Sequence, residues 1–172
     1  FILVDTNTTP QARNIDARRW GGEAEVMWHF APSWKIGQSI AYTRGKNTTD
    51  GLPLAQTPPL ESKTTLGYDN GKFSAALLFR AVAAQNRIAP GQGNIVGQDL
   101  KTGSKGFGVV SLNASWKMNK NMTVSAGVDN LFDKVYSEPI NKSAYDLAAL
   151  TITGVRINEP GRQFWLKLNA KF

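Results

Sequence analysis

The sequence predicts an all-β fold: a transmembrane antiparallel β-barrel, of which these 172 residues supply the C-terminal part. About seven strands are expected. Three observations lead there. Apolar and polar residues alternate with a period of two, as side chains do along a strand. The connections between alternating segments are short and long in strict turn. Aromatic residues collect at the ends of the apolar stripes.

The elements follow in order. Phe1-Ile2-Leu3-Val4-Asp5 has no basic region and no small-residue cleavage site, so it reads as the tail of an earlier strand (1–4) cut in mid-course, not as a signal peptide. The first full strand is expected over 12–30. There Ala24, Val26, Trp28 and Phe30 line one face, and Glu23, Glu25, Met27 and His29 the other. Over 34–45, Trp34, Ile36, Ile40 and Tyr42 alternate with Lys35, Gly37, Ser39, Ala41 and Thr43, with Gln38 an exception on the apolar face. Strands at 60–69 and 72–84 are noisier, because Leu78 and Val82 fall on the polar side. Clean alternation returns at 107–118 (Leu112, Ala114, Trp116), at 122–131 (Val124, Ala126, Val128) and at 162–172 (Phe164, Leu166, Leu168, Ala170, Phe172).

Three connections are tight: Ala31-Pro32-Ser33, Asn70-Gly71 and Asn119-Lys120-Asn121. Asn-Gly is a hairpin signal because both residues tolerate positive φ. The intervening ones, 46–59, 85–106 and 132–161, are long and rich in Gly, Asn, Pro and Asp. A soluble sandwich has no reason to gather its long loops at one end. An outer-membrane barrel has one, with tight periplasmic turns and long extracellular loops. Trp28, Phe30, Trp34, Tyr68, Phe73 and Trp116 lie beside the tight turns, and Tyr42, Phe79 and Phe107 towards the long loops. Eight residue steps from Trp34 to Tyr42 span ~26 Å of strand, close to the ~25 Å apolar band whose rims carry aromatic girdles. Seven strands are too few, and odd in number, for a single-chain bacterial barrel. The chain is therefore expected to be one C-terminal segment (1–172), with the remaining wall supplied by other strands.

Composition excludes several functions. No apolar run approaches the ~20 residues of a helical span. There is no cysteine, hence no disulfide or thiolate metal site. The net charge of +7 is scattered, with only Arg18-Arg19 adjacent, which argues against nucleic acid and suits a surface facing anionic lipopolysaccharide. His29 is the only histidine, and neither a G-x-S-x-G elbow nor a phosphate-cradling glycine loop is present, so no catalysis is expected.

Val128-Asp129-Asn130-Leu131-Phe132-Asp133-Lys134-Val135-Tyr136 resembles the NLFDKxY element near the end of TonB-dependent receptors. Glu159-Pro160-Gly161-Arg162 is similar to the PGR sequence that leads into the family's last strand. Asn130, Leu131 and Phe132, with Pro160, Gly161 and Arg162, carry the resemblance. In outer-membrane proteins a terminal aromatic such as Phe172 is read by the barrel-assembly machinery. Pro53-Leu54-Ala55-Gln56-Thr57-Pro58-Pro59, Ala84-Gln85-Asn86-Arg87-Ile88-Ala89 and Tyr136-Ser137-Glu138-Pro139-Ile140-Asn141-Lys142 resemble the outer-membrane copper receptor branch.

The resemblance implies a 22-stranded barrel plugged by an N-terminal domain and driven by the TonB complex. Its cargo would be a copper ion, with a ferric siderophore as the alternative. A passive porin-like barrel and a soluble sandwich are the further readings. The plug, the earlier strands and the family's sulfur ligands would lie elsewhere, and no cofactor is expected in this segment. Met27 and His29, two apart on the polar side, are the weak metal candidates, since soft sulfur suits Cu(I). Their place beside the turn at Ala31-Pro32-Ser33 favours packing against the plug instead.

Overall fold

The computed structural model describes residues 1–6, 11–94, 98–141, 143–146 and 151–171. Among them are twelve strands: β1 (Ile2–Asp5), β2 (Gln11–Asn14), β3 (Ala17–Ala31), β4 (Trp34–Asn47), β5 (Glu61–Asp69), β6 (Phe73–Val82), β7 (Gln92–Gly93), β8 (Phe107–Lys117), β9 (Met122–Asp129), β10 (Ser143–Asp146), β11 (Thr151–Arg156) and β12 (Gln163–Ala170). Seven form one antiparallel sheet in the order β12-β9-β8-β6-β5-β4-β3. Its seven strands match the expected segments to within a few residues, except at the start of the first.

There the expected strand 12–30 is two elements. β2 pairs not with the sheet but with β1, which also pairs with β7, in a separate three-stranded sheet. The break falls at Ile15-Asp16, where Ile15 is buried against Leu3 and Leu54. A buried side chain at the junction lets the chain change sheets, which alternation alone does not reveal. The strand expected over 122–131 likewise stops at Asp129, because Asn130 turns to a φ of 51°. The long connections at 85–106 and 132–161 are not structureless: they hold β7 and the antiparallel pair β10 and β11. Phe172, the expected assembly signal, lies outside the described residues.

Register keeps the faces aligned across the sheet. Trp28 stands opposite Ile36, Ile36 opposite Leu66, Leu66 opposite Leu77, Leu77 opposite Leu112 and Leu112 opposite Val128. One face thus carries the aliphatic and aromatic stripe, interrupted by the hydrogen-bonded Gln38, Ser62 and Thr64 and by Arg18, Arg44 and Lys46 at the long-loop end. Period-two side chains never change sides, so the other face takes most of the polar residues. The noisy positions obey the rule: Leu78 lies opposite Thr65 and Ser111 on the polar face.

Among the described residues nothing covers the apolar face. Trp28 is 64% exposed, Leu166 77% and Trp116 46%. Of the fully buried hydrophobic residues, only Val128 belongs to it; Leu3, Ile15, Leu54 and Ala89 sit among the long connections. A soluble sandwich would bury these stripes between two sheets. A barrel wall leaves them for lipid.

The tight turns all lie at one end. Between β5 and β6, Asp69 is level with Ser74, so Gly71-Lys72 is the turn's centre, one residue later than Asn70-Gly71. Only Gly71 takes positive φ, +85°. Asn70 contributes its side chain, whose Oδ1 accepts from the amides of Lys72 (3.1 Å) and Phe73 (2.7 Å). Along this end a continuous aromatic row crosses four strands. Centroids are 5.7 Å apart from Trp28 to Phe30, 6.4 Å from Phe30 to Trp34, 5.0 Å from Trp34 to Tyr68 and 6.2 Å from Tyr68 to Phe73. Tyr42 meets Trp20 edge-on at 5.6 Å at the other end. Phe107 does not belong to that upper girdle. It lies opposite Val82 on the polar face, 8% exposed, with its ring tilted against Tyr136 at 4.4 Å between centroids.

Candidate functional site at the long-loop end

At the junction of β9 and β12 the NLFDK and PGR sequences meet. Asn130 is 4% exposed and left-handed. Its Oδ1 accepts from the Lys134 amide (2.8 Å), and its Nδ2 donates to the carbonyl oxygens of Lys134 (2.9 Å) and Pro160 (3.4 Å). Asn is suited to this position because its short amide can satisfy the turn it creates. Asp133, also at positive φ, accepts from the Arg162 amide at 2.8 Å through Oδ1. A Cβ on Gly161 would lie 2.6 Å from that same oxygen, so any other residue must push the Asp133 carboxylate aside. Leu131 donates its amide to Val110, tying the turn to β8, while Phe132 is exposed. Asn130, Lys134, Asp133, Pro160 and Arg162 therefore form a staple between strand ends, in which Phe132 takes no part. Asp129 and Asp133 hold no shared group: Asp129 is level with Gln163 across the sheet and Asp133 is used by Arg162.

On the polar face at the same end, Arg80 of β6 bridges two carboxylates. Its Nη2 donates to Glu61 of β5 (2.7 Å), and its Nη1 pairs with Glu138 of the 132–161 connection. Lys63 is 2.9 Å from Glu61, and the Arg80 guanidinium lies 5.4 Å from the Phe107 ring centroid. Planar guanidinium suits this two-carboxylate bridge with an aromatic neighbour better than ammonium would. The network fixes a long connection to the wall.

A second clamp joins loop to loop. Asp99 Oδ1 accepts from the Gln56 amide (3.0 Å) and Oδ2 from the Ala89 amide (2.9 Å). Burial raises the Asp99 carboxyl above its ordinary range, outweighing those donors and nearby Arg156. Arg156 in β11 donates to the carbonyls of Pro139 (3.1 Å), Thr102 (3.2 Å) and Gly103 (3.2 Å), joining two long connections. Arg13 of β2 pairs with Asp50, which holds that carboxylate below its usual range. All three long connections are thus mutually braced.

Met27 and His29 are on the polar face, two apart and at the opposite end, beside the β3–β4 turn. Met27 is half exposed and lies over Gly37; His29 stands opposite Lys35. Among the described residues no group of three or more His, Cys, Asp or Glu could hold a metal ion. Arg80, Glu61 and Glu138 were not distinguished by sequence reasoning. Parity places Glu61 and Arg80 on the polar face, but nothing in the sequence says which loop residue meets them. Asp99 gives no sequence signal at all.

Comparison with known proteins fits this architecture. Residues 1–131 match the family model for the TonB dependent receptor-like β-barrel. The solved copper transporter OprC superposes with a TM-score of 0.94 and 46% identity, covering 100% of this chain and 26% of that one. The ferric enterobactin receptor of Pseudomonas aeruginosa superposes at a TM-score of 0.73 and 25% identity, covering 95% of this chain and 24% of that one. Aligned by sequence, a curated ferric enterobactin receptor of that species (strain PAO1) is 36% identical over 88% of this chain and 21% of its own length. The chain thus spans about a quarter or less of the proteins it matches. It belongs to the TonB-dependent receptor β-barrel family.

Proposed function

We propose that this chain forms the last stretch of wall in an outer-membrane, TonB-dependent receptor that takes up copper, with the copper ion as cargo and not as a resident cofactor. The apolar face meets the hydrocarbon of the outer membrane of a Gram-negative cell, and the polar face lines the lumen around a plug contributed by the rest of the receptor. Each edge strand of the seven-stranded sheet, β3 and β12, has one neighbour among the described residues. Lipid cannot satisfy an open strand edge, so both edges call for the remaining barrel strands. The TonB complex acts through that plug. β12, the strand ahead of Phe172 in the sequence, is the segment offered to the barrel-assembly machinery.

The observation that carries the copper reading is a difference. On superposition, identity is 46% over the whole chain with the copper transporter and 25% with the ferric enterobactin receptor. The second reading, a ferric-siderophore receptor, draws on the 36% sequence identity to the curated enterobactin receptor. Metal analysis of the intact receptor after exposure to copper, iron and zinc separates them. Copper retained near one per chain is the expected result; iron retained only as a chelate would overturn it. Met27 and His29 lie at the tight-turn end, far from the side on which cargo enters, so they are not assigned to its capture.

A further inference from the structure

At the long-loop rim of the apolar face, cations replace the aliphatic residues. The outward positions of β3 at this end are Arg18 and Trp20; those of β4 are Tyr42, Arg44 and Lys46. Register sets Arg18 directly opposite Lys46 and Trp20 directly opposite Arg44, in unbroken pairing with Val26, Trp28 and Ile36 further down the same face. These cations therefore point where the lipid-facing side chains point. Arg18, Arg44 and Lys46 are all exposed.

Two features separate this from a solvated charge run. Side chains directly opposite on antiparallel strands have Cβ atoms roughly 4.5–5.5 Å apart, and like charges so placed destabilise the pair unless an anion lies between them. Yet among the described residues none of the three enters an ion pair; the only arginines and lysines that do are Arg13, Lys63 and Arg80. Asp16, two residues ahead of Arg18, spends its backbone carbonyl on Thr48 and makes no such pair. The second feature is one-sidedness. The outward strand positions at the tight-turn end are Trp28, Phe30, Trp34, Tyr68, Phe73, Trp116, Met122 and Ala170, without a charge.

Beside the patch opens a cavity of about 280 Å³. Leu60, Pro58 and Pro59 form part of its apolar lining, and Arg44 and Arg87 also border it. Arg18 and Lys46 at the top, Arg44 level with Trp20, Tyr42 below them and an apolar crease alongside fit a phosphorylated, acylated headgroup lying at the interface. The leaflet on the long-loop side of such a barrel is the outer one.

We infer that Arg18, Arg44 and Lys46 form a binding site for the lipid A phosphates of lipopolysaccharide, with acyl chains running down past Trp20 and Tyr42. The inference rests on the membrane reading of the wall, but not on copper as cargo.

The test uses the full-length receptor in detergent, with purified lipopolysaccharide as probe. Arg18→Ser, Arg44→Ser and Lys46→Ser together are expected to weaken binding by about tenfold or more. A charge-keeping variant, Arg18→Lys with Arg44→Lys, retains most of it. Folding of each variant is read from the shifted gel mobility of an unheated barrel. Dephosphorylated lipid A is expected to bind no better to wild type than to the triple variant. A folded triple variant that binds lipopolysaccharide like wild type overturns the site, and so does equal binding of phosphatidylglycerol micelles. Copper stoichiometry, measured on the same samples, is expected to be unchanged by the triple variant. Its absence from wild type would count against the cargo and leave the lipid site standing.

Discussion

Replacing Asn130 with alanine removes the centre of the β9–β12 staple, and the structure sets the size of the effect. Two good hydrogen bonds are lost, from the Lys134 amide at 2.8 Å and to its carbonyl at 2.9 Å. The contact to Pro160 at 3.4 Å adds little. Each net bond contributes about 0.5–1.5 kcal/mol, and partners left unsatisfied in a buried site push towards the upper end, so the bonds account for about 2–3 kcal/mol. Alanine must also hold a φ of 51°. The left-handed region costs an ordinary residue about 1–2 kcal/mol, and glycine nothing. Asn130→Ala should therefore destabilise by about 3–5 kcal/mol, and Asn130→Gly by about 1–2 kcal/mol less. The assay is the urea midpoint of the full-length receptor, read from the folded, heat-modifiable band. If alanine proves no worse than glycine, the backbone conformation is not what selects this residue. If both match wild type, the staple reasoning fails.

Gly161→Ala should cost about 1–2 kcal/mol, because the new Cβ displaces Asp133 from the Arg162 amide. In an Asp133→Ala background the same change should cost much less, and additivity of the two would contradict the contact. The Asp99 clamp should depend on pH. Its folded pKa is raised, so its stabilisation is full below the ordinary carboxylate range and is lost as pH rises through the raised value. Hydrogen-exchange protection of the Gln56 and Ala89 amides, corrected for intrinsic rates, should fall over that window, and Asp99→Asn should flatten the dependence. Arg80→Ala should free the 132–161 connection by removing the partner of Glu138. Proteolytic cleavage within that connection is expected to rise several-fold, since opening by about 1 kcal/mol less changes its population by that factor; unchanged cleavage would show that the bridge does not hold the loop.

The sheet was legible because its signal is local. Period-two alternation in β3, β4, β8, β9 and β12 fixes which side each residue faces, and the tight turns fix which strands are neighbours. Even Leu78 and Val82, which look like errors in the pattern, sit where parity puts them. What was illegible depends on contacts far apart in sequence. Ile15 ends a strand because Leu3 and Leu54 bury it. Phe107 faces inward by the parity of β8 itself, opposite Val82, and only its contact with Tyr136 was out of reach of the sequence; an aromatic near the right height is not thereby a girdle residue. The NLFDK and PGR sequences could be recognised as a resemblance, but their reason is one oxygen, Asp133 Oδ1, shared between an amide and the space that a glycine leaves. Asp99 is the limiting case. Its partners are backbone amides, which every residue carries, and no side-chain pattern can announce them.

The two ends of the wall are held by different physics, and this bears on what can move. At the tight-turn end the linkage is a row of aromatic side chains and three short turns, all of it contiguous with the sheet. At the long-loop end the connections are held by ion pairs and by side chains bonded to the backbone: Arg80 to Glu138, Asp99 accepting from Gln56 and Ala89, Arg156 donating to three carbonyls, Arg13 to Asp50. Such contacts are weaker per residue in water than buried apolar packing and depend on charge state and salt. Local opening is drawn from the least stable contacts first. A rearrangement of this portion on cargo arrival would thus break these clamps in the long connections and leave the seven-stranded register intact. Among the clamps, the Arg80 bridge is the one that joins a loop directly to the wall. It is the place where movement of the 132–161 connection would be felt by β5 and β6.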